Sequence, residues 1–169
     1  MRLTSLKLNS LRDLLLEELR DLYNAEQQLL EALPKMADAA KAPDLKSAFS
    51  HHLDETKQHA SRLERVFAGM KEKASGETCE AMKGLIKEGE LMIKAEGVAD
   101  VRDAGLIGAA QRVEHYEMAG YGTARTLARR LGENEIASVL QQTLNEESQA
   151  NENLTEIAES HVNVGAARS

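Results

Sequence analysis

The residues with the clearest chemical potential are glutamates that fall on the apolar faces of predicted helices. Glu26 lies between Leu22 and Leu29 when successive residues are placed about 100° apart around a helix axis. A carboxylate in a low-dielectric interior is unfavourable unless a proton or a cation neutralises it, and several such carboxylates together favour a cation. Because oxygen-rich ligands suit iron and manganese, this pattern predicts a metal site.

Glutamates near the midpoints of three further helical patterns belong to the same candidate site. Glu55 lies at the edge of the second apolar stripe, with His52 one turn before it and His59 one turn after it. Antiparallel packing of helical hairpins would bring the helix midpoints to similar depth, so the sequence predicts a dimetal site in the core of a bundle. The candidate ligands are Glu26, Glu55, His59, Glu114, Glu117, Glu146 and Glu147.

The fourth helical pattern leaves two neighbouring glutamates open as the ligand. A shift of 91 positions aligns the two halves of the chain and places Glu55 on Glu146. This internal similarity selects Glu146, whereas helix periodicity places Glu147 at the centre of the apolar stripe. Both residues therefore remain candidates, and the similarity of the halves predicts a pseudo-twofold arrangement.

Helical periodicity also predicts the elements that position these residues. Apolar residues recur at helical spacing from Leu11 to Ala40, behind Ser10 as the N-cap, and Pro34 predicts a kink or an early end within this pattern. A shorter segment separates two pairs of long helices, which is typical of an all-α four-helix bundle with one crossover. The further patterns cover residues 45–70, 78–94 for the shorter segment, about 101–131, and 136 to about 161.

Composition and charge exclude several other classes. The chain has 169 residues, 3% aromatic residues, no tryptophan and a formal net charge of -7, which disfavours binding to nucleic acid phosphates. Cys79 is the single cysteine, so an internal disulfide and a four-thiolate metal site are excluded within one chain. No run of about 18 apolar residues is present, so we expect no membrane span and a cytoplasmic location.

Four short segments resemble the Yci-type bacterial stress proteins of the ferritin-like superfamily. The resemblance covers nearly the whole chain, and its most specific part is 110–117 (AQRVEHYE) followed by 119–123 (AGYGT). It implies a single ferritin-like domain over residues 1–169, with a rubrerythrin-like bundle that usually forms a homodimer. The four segments are 22–26 (LYNAE), 52–56 (HLDET), 113–117 (VEHYE) and 143–147 (TLNEE).

The resemblance to rubrerythrin-like sites also implies roles for individual residues. It makes Glu26 the ligand from the first helix, Glu55 a bridging carboxylate, and Glu114 with Glu117 the ligands from the third helix. Two metal ions, iron or manganese, are the cofactors that this set implies.

The sequence departs from the usual diiron pattern in its histidines. Glu-x-x-His is expected on the second and fourth helices, but Gln58 and Gln149 occupy the histidine positions. His59 or His52 would replace the imidazole on the second helix, whereas the fourth offers only Asn151 nearby. No pair of Cys-x-x-Cys motifs is present, so a redox cycle would require an external reductant.

Two functions of different classes follow. The first is a stress-response protein with a carboxylate-rich dimetal site that handles peroxide, other oxygen species or metal. The alternative is a metal-free helical stress protein that acts through a partner or its own dimer interface. A cage-forming, DNA-protecting miniature ferritin shares the fold class but fits the acidic charge balance poorly.

Overall fold

Five helices of 15 to 32 residues form most of the structure. The computed structural model describes residues 6–75 and 78–169, and this part of the chain contains helices and connections but no strand. The helices are α1 (Leu11–Ala39), α2 (Pro43–Gly69), α3 (Glu80–Lys94), α4 (Ala99–Arg130) and α5 (Asn134–Ile157), followed by a π-helical turn (Ala158–Val162) and a short α6 (Asn163–Ala166).

Polar contacts hold the start of α1 and the connection between α1 and α2. The Ser10 hydroxyl caps α1 by accepting a hydrogen bond of 3.1 Å from the backbone N–H of Asp13, as the sequence predicts. Between α1 and α2, the buried carboxylate of Asp103 accepts hydrogen bonds from the backbone N–H groups of Lys41 and Ala42. A side chain of α4 therefore holds the connection that leads into α2.

Of the kink or early end predicted at Pro34, the early end does not occur. The helix continues through Pro34 to Ala39, although proline removes one intrahelical hydrogen bond. Pro34 itself is exposed, whereas Leu33, Met36 and Ala37 around it are buried against the core. The packing of this apolar face outweighs the local disruption.

The long helices pair as two hairpins, α1 with α2 and α4 with α5, and α3 crosses between them while packing on α1 and α4. This arrangement confirms the predicted four-helix bundle with a crossover helix between the hairpins. Its apolar core has two clusters, one that includes Leu29 and Leu106 and one that includes Leu19 and Leu140. Glu26 falls between residues of the two clusters along α1, so a polar layer separates the apolar halves.

A glycine allows α1 and α4 to approach closely beside this polar layer. A Cβ atom added at Gly120 would lie 2.8 Å from Cδ2 of Leu22, whose side chain is buried. A Cβ atom at this position would therefore have to displace the buried side chain of Leu22. Gly122, two residues further along α4, has no such neighbour within 4 Å.

None of the helices in the described ranges combines the length and the apolarity that crossing a bilayer requires.

Candidate metal centre

The polar layer brings together side chains from all four long helices. Every member is buried, and Glu26, His59, Glu117 and Glu147 have no exposed surface. Helix periodicity predicts an inward position for each of these glutamates, and the structure shows it. The members are Glu26 from α1, His52 and His59 from α2, Glu114 and Glu117 from α4, and Glu147 from α5.

These side chains form two overlapping groups of candidate ligands. In the first group, Glu26, His59 and Glu147 each offer one oxygen or nitrogen atom, and these atoms lie within 4.8 Å of one another. The second group meets the same criterion and shares Glu147 with the first. Its members are His52, Glu114, Glu117 and Glu147.

The shared carboxylate presents one oxygen to each histidine. Oε1 of Glu147 lies 2.9 Å from Nδ1 of His59, and Oε2 lies 3.6 Å from Nε2 of His52. Nδ1 of His59 also lies 3.5 Å from Oε1 of Glu26, and Nε2 of His52 lies 3.4 Å from Oε2 of Glu114. Glu147 therefore has the position of a bridge between the two groups.

The remaining predicted residues, Glu55 and Glu146, lie outside both groups and contact the far sides of the histidines. Nδ1 of His52 is 3.3 Å from Oε2 of Glu55, and Nε2 of His59 is 2.9 Å from Oε2 of Glu146. A histidine that binds metal through one ring nitrogen commonly donates its other N–H to a carboxylate, which fixes its tautomer and orientation. Both histidines have this arrangement.

Arg62 is a buried charged residue beside the layer that the sequence analysis does not single out. Its side chain is buried, donates to Oε1 of Glu146 at 2.9 Å and donates to the hydroxyl of Thr143 at 3.2 Å. A signal was present in the sequence, because His52, Glu55, His59 and Arg62 recur every three or four residues and so share one face of α2.

Many polar atoms in this layer have no hydrogen-bond partner in the described part of the chain. Buried polar atoms are normally paired, so each exception requires an explanation. A cation explains these atoms well, because carboxylate oxygens and imidazole nitrogens are ligand atoms. They are Oε2 of Glu26, Nε2 of His52, Nδ1 of His59, Oε2 of Glu114 and both carboxylate oxygens of Glu117 and Glu147.

Burial and mutual repulsion shift the pKa values of the layer. Burial raises the pKa of Glu114 to about 8 and raises the pKa values of Glu26 and Glu117. Burial alone would lower the pKa of His52, but the carboxylate of Glu114 and the hydrogen bond to Glu55 outweigh it and raise this pKa to about 9. In the absence of a cation, protons therefore neutralise part of the layer near neutral pH.

His59 shows the same balance more strongly. Burial opposes its charged form, but the adjacent carboxylates of Glu147 and Glu26 outweigh it and raise its pKa to about 11. On the other side of the first group, the Tyr121 hydroxyl donates a hydrogen bond to Oε1 of Glu26. Glu26 is thus held from one side by a phenol and faces His59 on the other.

A second tyrosine, Tyr116, makes its hydrogen-bonding contacts outside the layer. The Tyr116 hydroxyl donates to Asp21 and lies 3.0 Å from the Cys79 thiol sulfur. Burial raises the pKa of the Cys79 thiol, so it remains protonated at neutral pH and is a poor nucleophile.

The fold and the site define an all-α, ferritin-like four-helix bundle protein with an acidic, histidine-containing interior. The chain belongs to the family described as a domain of unknown function, DUF892, whose model matches residues 10–167. It is 41% identical over 159 residues to Protein YciF of Escherichia coli K12, covering 94% of this chain and 96% of that protein. The resemblance to Yci-type proteins is therefore confirmed.

Solved structures with the same fold include the crystal structure of the Escherichia coli stress protein YciF. It aligns with a TM-score of 0.89 at 41% identity, covering 92% of this chain and 99% of that chain. YcfI from Rhodopseudomonas palustris aligns with a TM-score of 0.85, also at 41% identity, covering 92% of this chain and 98% of that one.

Proposed function

We propose that this protein is a ferritin-like stress-response protein that holds two metal ions, iron or manganese, in its buried polar layer. The single observation that carries the proposal is the set of buried carboxylate and imidazole atoms that face one another without hydrogen-bond partners in the described residues. The relative named a stress protein supports the physiological setting.

The two groups of side chains supply the ligands in this proposal. Glu26, His59 and Glu147 would hold one ion, and His52, Glu114 and Glu117 would hold the other together with Glu147. Glu147 takes the bridging place that the family resemblance implied for Glu55, because each of its two oxygens faces a different histidine. Glu55 and Glu146 hold the outer ring nitrogens of these histidines.

The ligand chemistry favours iron or manganese, since carboxylates with a minority of imidazoles suit these ions. Bound in this layer, the pair would supply the redox chemistry that reduces peroxide or dioxygen. The chain contributes the Tyr121 hydroxyl, which holds one oxygen of Glu26, and Arg62, which neutralises Glu146. Electrons would come from an external reductant, because Cys79 is the only cysteine in the chain.

A metal-free function remains the second candidate, and one observation favours it. The raised pKa values of Glu114, His52 and His59 show that protons can neutralise part of the layer. In that case the protein would act through a partner or through a homodimer interface, and the glutamates would be structural.

Elemental analysis separates these functions. The protein is purified without affinity chelation, loaded anaerobically with ferrous iron and desalted. We expect two metal ions per chain in the wild type and at most one in Glu147→Gln, which removes the shared charge. Glu152→Gln is the matched control, because Glu152 is an exposed glutamate of the same helix.

Wild-type protein that retains no metal would support the metal-free function. A Glu147→Gln variant that still retains two ions would show that the ligand assignment is wrong.

A further inference from the structure

A line of imidazole nitrogens and carboxylate oxygens runs from the solvent to the buried layer beside His52. Nε2 of the surface residue His51 lies 3.4 Å from Oε1 of Glu55, and the other oxygen of Glu55 lies 3.3 Å from Nδ1 of His52. Nε2 of His52 then lies 3.4 Å from Oε2 of Glu114. The side-chain exposure falls steadily along this line, from 71% at His51 and 22% at Glu55 to 7% at His52 and 3% at Glu114.

A cavity follows the same line. It has a volume of about 30 Å³, traced by the centre of a water molecule, and lies between α2, α4 and α5. Its polar lining is His51, His52, Glu55, Glu114 and Asn153, and apolar residues such as Phe49 and Leu154 complete its walls. A water molecule requires roughly 10–15 Å³ by this measure, so the space admits a partly hydrated cation. At its inner end, Nε2 of His52 and Oε2 of Glu114 have no hydrogen-bond partner in the described residues.

Two other approaches to the layer suit a cation poorly. A cavity between α1, α3 and α4 also reaches Glu114, but its lining contains no histidine, and Lys35 lines it together with Glu90. The positive charge of Lys35 repels a divalent ion, and the other walls are mainly apolar, so lost hydration is replaced less fully there than beside His51 and Glu55. At the position related to Glu55 by the shift of 91, Glu146 is paired with the guanidinium of Arg62, whose positive charge repels a cation.

We propose that His51, Glu55 and His52 form the path by which divalent cations pass from solvent to the buried layer. This inference rests on the proposed function. Along the path each step replaces lost hydration with a nitrogen or oxygen ligand, and the Glu55 carboxylate supplies the charge that attracts the ion. Glu55 therefore controls the rate of metal exchange, while the ions reside deeper in the layer.

Cobalt(II) chloride alone tests this path, because bound cobalt absorbs visible light without any enzymatic turnover. Loading of the metal-free full-length protein is followed by stopped flow, and release is followed by mixing the loaded protein with excess chelator. Glu55→Gln removes the charge but keeps an oxygen that accepts the hydrogen bond from His52. Asp54→Asn is the matched control, since Asp54 is its exposed neighbour and pairs with Lys57 outside the path.

We expect Glu55→Gln to slow loading about tenfold and to slow release as well, with two ions still bound per chain at saturation. A group that acts on passage changes both rate constants in the same direction, whereas a loss of affinity alone would speed release. Asp54→Asn should keep both rates near the wild-type values. Ala150→Leu, which narrows the cavity from α5 without altering charge, should also slow both rates.

Several outcomes would overturn the path. Loading and release rates in Glu55→Gln that equal those of the wild type would contradict the path. Equal slowing of both rates in Asp54→Asn would assign the effect to general surface charge. Faster release or a missing ion in Glu55→Gln would make Glu55 part of the binding site and not of the path. Wild-type protein that binds no cobalt at any time would overturn the proposed function itself. The measurement on wild-type protein therefore distinguishes this outcome from a failure of the path alone.

Discussion

Individual buried side chains determine how the metal-free protein responds to pH. Burial raises the pKa of Glu114 from 4.5 to about 8, so the folded state keeps a proton that the unfolded state loses. Stability therefore falls as pH rises from 4.5 through about 8. The pKa of His52 rises from 6.5 to about 9, so the stability that charged His52 contributes is complete below pH 6.5 and is lost as pH rises through about 9. Both groups act in the same direction.

We therefore predict that the Tm of the metal-free protein falls between pH 6 and pH 9. Calorimetric scans in the presence of a chelator measure this, and each kcal/mol lost corresponds to a decrease of about 2–4 °C for a chain of this size. Glu114→Gln should flatten the profile, because a neutral amide does not ionise. Glu152→Gln should keep the wild-type slope, and a Tm that rises over this range would contradict the prediction.

The inward glutamates were predictable residue by residue, but their exact partners were not. Helix periodicity placed Glu26, Glu114 and Glu147 on buried faces because a step of about 100° per residue distinguishes the centre of a face from its back. The same step is too coarse to separate a residue at the edge of a face from one inside it. The contact of Glu55 with His52 lies within one turn of α2 and is visible in the sequence, whereas the contacts of Arg62 depend on α5, whose position a single sequence does not specify.

At the scale of whole helices, apolar periodicity predicted the five main elements and their order. The bounds differ by a few residues, and the absence of an early end at Pro34 has a physical cause. Proline removes one hydrogen bond within the helix, and a local sequence rule captures this loss. The continuity of α1 depends instead on the buried residues Leu33 and Met36, which pack on other helices. Tertiary packing of this kind is not visible in a local pattern.

The close approach of α1 and α4 gives two neighbouring glycines opposite responses to the same substitution. Alanine favours a helix interior over glycine by about 0.5–1 kcal/mol, so Gly122→Ala should stabilise the protein by this amount. Gly120→Ala should instead destabilise it, because its Cβ would lie 2.8 Å from Cδ2 of the buried Leu22 and overpacking typically costs about 1–3 kcal/mol.

Chemical denaturation of the two variants in parallel measures this difference. Equal stabilisation by both substitutions would show that Leu22 moves aside without loss, and that the spacing of α1 and α4 does not depend on Gly120.

For the molecule as a whole, the polar layer joins residues from four helices that lie far apart in sequence, so ligand binding there is linked to folding. A metal ion that binds only the folded state at a concentration 100 times Kd stabilises it by about 2.7 kcal/mol. For a chain of this size, we predict a Tm increase of about 5–11 °C on addition of manganese. Glu147→Gln should reduce the increase, Glu152→Gln should preserve it, and a wild-type Tm that manganese leaves unchanged would contradict the prediction.

The contact between Tyr121 and Glu26 also has a spectroscopic consequence. The chain has three tyrosines and no tryptophan, and the other two tyrosines donate to Glu64 and Asp21, away from the candidate ligands. Ultraviolet absorption by a phenol depends on its hydrogen bonding, and the Tyr121 hydroxyl bonds directly to Glu26. The protein thus contains an intrinsic optical label at its centre, and changes at Glu26 can be followed in the unmodified chain without a dye or a background of indole absorption.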